Sequence, residues 1–254
     1  MIHDKIGRLN QAIPVQEIAQ ALDITEIKLA EMDGCEGVLL TDRARSRGSI
    51  MVNNRRGAQA ARFGVAHELG HFLMERHELG LGGVFNCTSA DFRQTRTDRK
   101  IRKQEVEANE FAISLMAPDY KTAPILAEQP DIEAAQLLSK SLDVSLEAAA
   151  RCLVGGHNEP LAAVWTKDGR IRYMARGAKF PWLLRSAGET VSRLSMTHAA
   201  LAKQSPSTSP MSEVATSIWT AEEIPELYEQ VRVGKSGHSL TLLWATLPDE
   251  FEED

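Results

Sequence analysis

The chain has 254 residues, 43% hydrophobic and 25% charged, with a formal net charge of −6. Five acidic residues fall within its last six positions (Asp249, Glu250, Glu252, Glu253 and Asp254), so the preceding body is close to neutral and the acidity is a tail. This composition excludes general disorder, the length exceeds the roughly 100–150 residues of one typical core, and no run approaches the about 18 apolar residues of a membrane span or resembles a signal core.

In chain order, Pro14 to Leu22 places Val15, Ile18, Ala19 and Leu22 at helical spacing behind a proline suited to a first helical turn. Gly37 to Thr41 and Gly48 to Asn53 are short apolar runs bounded by Gly, Asp and Asn, and read as strands. Phe63 to Arg76 reads as an amphipathic helix with Phe63, Ala66, Leu69 or Gly70, and Leu73 on one stripe. Gly80 to Asp98, rich in Gly, Ser, Thr and Asn, reads as a loop, and a helix follows from about Lys100 to Met116 until Ala117-Pro118 stops it. Asp131 to Val154 gives two short helical patterns around Leu142-Asp143-Val144-Ser145, with Ser145 as N-cap, at a spacing that resembles a helix-turn-helix.

From Leu161 the pattern becomes strand-rich. Leu161 to Thr166 and Arg170 to Ala175 flank the hairpin signal Lys167-Asp168-Gly169, and Glu213 to Trp219, Leu227 to Val233 and Ser239 to Leu247 are further strand candidates. Ser205 to Pro210 (SPSTSP) reads as a loop or linker. The expected class is α+β, in three parts: residues 1–125, a helical segment over 126–158, and a strand-rich α/β domain over 159–254 that carries the acidic tail.

Chemistry concentrates in His67-Glu68-Leu69-Gly70-His71, an HExxH sequence on a predicted helix. Residues four apart share one helical face, so both imidazoles can grip a zinc ion from the same side while Glu68 is left to take a proton from the attacking water. Shuffling this composition yields the pattern in roughly one chain in sixty, so its context on an apolar helix followed by a second candidate ligand helix carries much of the weight. A catalytic zinc usually takes three protein ligands, and the following helix offers Glu105, Glu107 and Glu110. At about 100° per residue, Glu105 lies about 50° from the apolar stripe, Glu107 about 110° and Glu110 nearly opposite. Glu105 turns inward most readily, with Glu107 as the alternative and Glu110 on a solvated face. Asn109, one turn after Glu105, could hold the outer nitrogen of a liganding histidine. Manganese or iron could fill a His/His/Glu site as well as zinc. For the oxyanion donor, Tyr120, His157 and His238 are candidates by residue type alone.

Cys35, Cys87 and Cys152 form neither a disulfide framework nor a CxxC pair, which suits a reducing cytosol, and they read as small buried or neutral residues. Six Arg between Arg43 and Arg62 and six basic residues between Arg93 and Lys103 flank the HExxH helix. Such runs are either solvated faces or a surface that steers an acidic substrate or nucleic acid. The helix-turn-helix-like segment is a poor DNA reader, because Lys140 and Arg151 are outnumbered by Asp131, Glu133, Asp143 and Glu147. The tail from Asp249 to Asp254 reads as a solubilising end, or as a segment that folds over a basic active-site rim.

The order of "PV..IA..L" (Pro14 to Leu22), strands, "F..AHELGH" (Phe63 to His71), "E..AN.FA..LMAP" (Glu105 to Pro118) and "VS.EAA...L" (Val144 to Leu153) resembles the ImmA/IrrE family of zinc metallopeptidases over Ile13 to Leu153. The resemblance implies a zincin-like domain in which His67, His71 and Glu105 hold zinc and Glu68 is the general base. It also implies a cytoplasmic endopeptidase whose protein substrate is a helix-turn-helix repressor, cleaved to release a stress or mobile-element programme. Some members carry a helix-turn-helix and a GAF-like sensor domain after the peptidase, a plan this chain could follow. The competing expectation is a non-proteolytic zinc-containing regulator that binds a partner protein or DNA.

Overall fold

The computed structural model describes residues 2–79, 83–87 and 99–248. The fold is mixed α+β with two sheets, and the chain divides into one unit of Met1–Thr122 with Ser141–Val144 and a second of Ala123–Lys140 with Ser145–Asp254. The acidic tail lies outside the described residues.

The first unit contains α1 (Ile2–Ile6), α2 (Val15–Ala21), β1 (Ile24–Ala30), β2 (Gly37–Thr41), β3 (Gly48–Asn53), α3 (Ala58–Leu73), β4 (Val84–Cys87) and α4 (Arg99–Met116). Its sheet runs β1-β3-β2-β4, with β1 parallel to β3 and β2 antiparallel to both β3 and β4. The two expected strands appear with the expected bounds, their alternate residues Leu39, Ile50 and Val52 turned into the core. Two strands are additions to the sequence reading. In β1 the apolar residues Ile24, Ile27 and Leu29 follow neither a two-residue nor a helical period, and only Ile24 is buried. Within the expected loop, Val84–Cys87 forms β4 because β2 offers it a ladder from Gly37↔Cys87 to Leu40↔Val84. The remainder of that loop, residues 80–82 and 88–98, lies outside the described residues.

Helix α3 is buried continuously from Gly64 to Phe72 instead of on one stripe. A sheet covers one side of it and α4 the other. A Cβ placed on Gly70 would lie 3.0 Å from Phe111 Cδ1 and 3.3 Å from Ala108 Cα, so the glycine sets the approach of α3 to α4. The end of α3 is capped by Arg45, whose guanidinium donates to the carbonyls of His71, Phe72 and His77. Arg62 donates to the carbonyls of Ile13, Leu142 and Asp143, and Arg55 pairs with Asp33 at 2.8 Å. Three of the six arginines between Arg43 and Arg62 are thus engaged in intramolecular contacts.

Helix α5 (Asp119–Leu126) leads to α6 (Ile132–Leu142) and α7 (Leu146–Gly156), the latter capped by the Ser145 side chain accepting from Ala148 N–H. The second unit then adds β5 (Leu161–Lys167), β6 (Arg170–Arg176), α8 (Met196–Ala202), β7 (Ser207–Thr208), β8 (Ser212–Val214), β9 (Glu226–Val233) and β10 (His238–Thr246). They form an antiparallel sheet, β6-β5-β10-β9-β7, with β8 also on β9. Asp168 and Gly169, both at positive φ, make the hairpin turn as their sequence predicts. The candidate strand from Glu213 to Trp219 is shorter than expected, because Thr216–Ile218 turns into a 3-10 helix that buries Ile218 and Trp219. The expected linker contributes β7, a two-residue strand that exists only through its pairing with Arg232 and Val233.

Glu229, fully buried in β9, is held by the Thr197 backbone N–H and hydroxyl at 2.8 Å each, Trp219 Nε1 at 2.9 Å and Met196 N–H at 3.2 Å. The carboxylate thus joins the start of α8 to the sheet. Glu229→Ala would strand these donors, and denaturant unfolding should register a loss of about 2–4 kcal/mol.

Candidate metal centre

Four potential ligand atoms converge in the first unit. His67 and His71 lie one turn apart on α3, Glu105 comes from α4 and Cys87 from the end of β4, and their donor atoms all lie within 4.8 Å of one another. His67 Nε2 is 3.0 Å from His71 Nε2 and 3.2 Å from Glu105 Oε2, while His71 Nε2 is 3.5 Å from Glu105 Oε1 and 3.7 Å from Cys87 Sγ. None of the four residues is more than 4% exposed.

Outer partners orient both imidazoles. His67 Nδ1 lies 3.0 Å from Asn109 Oδ1, an oxygen that can only accept, so the ring proton sits on Nδ1. His71 Nδ1 lies 2.9 Å from His77 Nδ1, and His77 Nε2 lies 3.0 Å from Glu107 Oε2. The Glu107 carboxylate accepts from His77 Nε2–H, which leaves His77 Nδ1 to accept from His71 Nδ1–H. Both inner Nε2 atoms then present lone pairs.

Burial holds His71 down at about 4, against the pull of Glu105, so the ring is neutral at pH 7. Glu105 lies 3.2 Å from His67 Nε2 and 3.5 Å from His71 Nε2. Those short contacts could also be drawn as N–H···O bonds to Glu105. The outer partners decide against that, since Asn109 Oδ1 and Glu107 each require a proton from the histidine chain.

Two lone-pair nitrogens, a carboxylate and a sulfur so close together, and out of water, are mutually repulsive unless a cation lies among them. The donor set therefore fits a divalent metal, and nitrogen with sulfur favours zinc over magnesium or calcium.

Glu68 is fully buried beside the cluster. A Cβ on Gly37 would lie 2.2 Å from Glu68 Oε1, so β2 makes room for the carboxylate by carrying a glycine there. Of the other acidic candidates, Glu107 serves His77 and Arg76 and Glu110 is exposed. Tyr120 uses its hydroxyl to accept from Leu9 N–H, and His157 and His238 belong to the second unit.

Cys87 and His77 escaped the sequence reading. Cys87 sits in a segment whose composition signals a loop, and His77 lies six residues beyond His71, past the end of α3, where helical spacing no longer applies.

A buried histidine–glutamate cluster on an HExxH helix, backed by a small mixed sheet, defines a domain of the metallopeptidase type. Residues 20–153 match the model of the Peptidase M78 family, described as the IrrE N-terminal-like domain, and the chain belongs to that family. None of the curated proteins compared with it matches. Among solved structures, a Mycobacterium tuberculosis transcriptional regulator is similar with a TM-score of 0.59 at 11% identity, over 96% of this chain and 74% of that one, a likeness of fold. Among the described residues, no helix is long and apolar enough to cross a membrane.

Replacing Asn109 or His77 by Ala should weaken zinc binding about 10–100-fold in chelator competition with little change in circular dichroism. Stability of the metal-free protein should also depend on acid. His71 is depressed from 6.5 to about 4, so the unfolded chain takes up its proton first and stability falls between those values. Thermal melts of the apo protein from pH 7 to pH 4 should shift steadily downward, and His71→Gln should flatten the slope.

Proposed function

We propose that the protein is a zinc-dependent endopeptidase in which His67, His71 and Glu105 hold the metal and Glu68 is the general base. The observation that carries this reading is the convergence of those ligands beside a buried carboxylate for which β2 leaves space at Gly37. Zinc, when bound, supplies Lewis acidity that polarises a peptide carbonyl and makes water easier to deprotonate. Glu68 accepts the proton of the attacking water and returns it to the leaving amine. Asn109 and His77 keep the ring protons of His67 and His71 on the outer nitrogens.

The substrate we propose is a cytoplasmic regulatory protein, a repressor of the helix-turn-helix class, whose cleavage releases a stress or mobile-element programme. Membership of the Peptidase M78 family supports a protein substrate. In this reading residues 1–125 are the zincin-like peptidase, the helices over 126–158 form a protein-binding segment of helix-turn-helix shape, and 159–254 is a GAF-like sensor domain. A concavity of about 310 Å³ in the second unit, lined in part by Trp165, Tyr173, Arg172, Arg232 and His238, supports a sensing role. Arg151 stacks over Trp165 and Tyr173 at 5.2 and 5.0 Å.

A second reading, a regulator that does not cleave, is favoured by one observation: Cys87 supplies a fourth donor, and four protein ligands are typical of structural zinc. The two separate in one experiment. Candidate repressors incubated with zinc-loaded protein should yield a defined pair of fragments by mass spectrometry, and Glu68→Gln should bind zinc normally and yield none. Cleavage by the Glu68→Gln protein at wild-type rate would remove Glu68 from its role. Gly37→Ala, which pushes on Glu68 Oε1, should keep the metal and lower the cleavage rate by about 100-fold.

A further inference from the structure

Cys87 has no task in the peptidase mechanism, although it is 1% exposed and its sulfur belongs to the donor cluster. A tetrahedral zinc, with bonds of about 2.0–2.2 Å to nitrogen or oxygen and about 2.3 Å to sulfur, places its ligands about 3.4 Å apart, or about 3.6 Å where one is sulfur. The structure gives 3.0 Å between the two Nε2 atoms, 3.2 and 3.5 Å from them to Glu105, and 3.7 Å from His71 Nε2 to Cys87 Sγ. Four of the six separations that a tetrahedral site would have are thus close to these values, the two to Glu105 running to its two different oxygens, and all four donors lie within 4.8 Å of one another.

We infer that the Cys87 thiolate is the fourth ligand of the zinc and occupies the position that the attacking water requires, so that the resting peptidase is latent. This rests on the zinc peptidase reading and adds a regulatory step to it. Opening is a ligand exchange: the zinc–sulfur bond breaks, the thiolate takes a proton from solvent, and water gains the vacated position. No oxidant or reductant is consumed.

The supports of the four ligands are unequal, which makes Cys87 the one to leave. His67 and His71 are held by Asn109 and His77 on a helix locked against α4, and Glu105 sits within α4 itself. Cys87 is carried instead by β4, in a ladder with β2, and not by the α3–α4 pair that carries the other three. A permanently closed structural site would also have no use for the buried carboxylate of Glu68.

Cobalt substitution tests the ligand directly. Wild-type protein loaded with one equivalent of Co²⁺ should show a sulfur-to-cobalt charge-transfer band in the near ultraviolet. Cys87→Ala should bind one equivalent without that band, and Cys35→Ala, whose sulfur contacts the Gly37 carbonyl at 3.2 Å, should retain it. Stoichiometric cobalt uptake by the wild type with no thiolate band would overturn the proposal even if Cys87→Ala failed to fold. With zinc, Cys87→Ala should cleave at least 10-fold faster than wild type; an equal or lower rate beside an intact wild-type band would leave Cys87 a ligand and refute latency. Failure of the underlying reading looks different: no metal uptake removes the metal centre itself, and metal uptake without cleavage by either protein removes the peptidase.

Discussion

The candidate metal centre depends on the close crossing of α3 and α4 at Gly70. A side chain at Gly70 would press on Ala108 and Phe111, so the glycine favours this approach, which brings Glu105 and Asn109 of α4 to the His67/His71 face of α3. The same crossing explains why the central helix is buried on both sides. Its polar residues are then far from water, and burial raises the cost of every charge or lone pair that lacks a counterpart. A divalent ion resolves that cost, so the packing that excludes solvent is also what makes the cluster receptive to a metal.

Outer contacts turn this cluster from four polar side chains into a defined donor set. The chain from Glu107 through His77 to His71, together with Asn109 on His67, places the ring protons away from the centre. Arg45, bound to the carbonyls at the end of α3, keeps that turn in place through backbone contacts alone.

In the second unit a different buried charge organises the fold. Glu229 gathers donors from α8 and from Trp219, and the 3-10 turn that delivers Trp219 is what shortens the strand expected there. The first and last strands of this unit, β5 and β10, lie side by side, a pairing across some 70 residues that no local pattern announces.

Wherever a signal is local, the amino-acid order was enough. Strands β2 and β3 alternate, Ser145 caps α7, Asp168-Gly169 turns a hairpin, and the i, i+4 histidines with an inward Glu105 are consequences of helical geometry. The sequence by itself determined the HExxH helix and the inward face of α4 that carries Glu105, because each follows from a period of 3.6 residues. Only the tertiary structure decided that α3 is buried on both faces, that Val84–Cys87 is a strand, that His77 holds His71 and that Cys87 joins the cluster. Those facts depend on pairings between residues distant in the chain, and a strand of four residues or a histidine beyond a helix end has no periodicity through which the sequence could declare it.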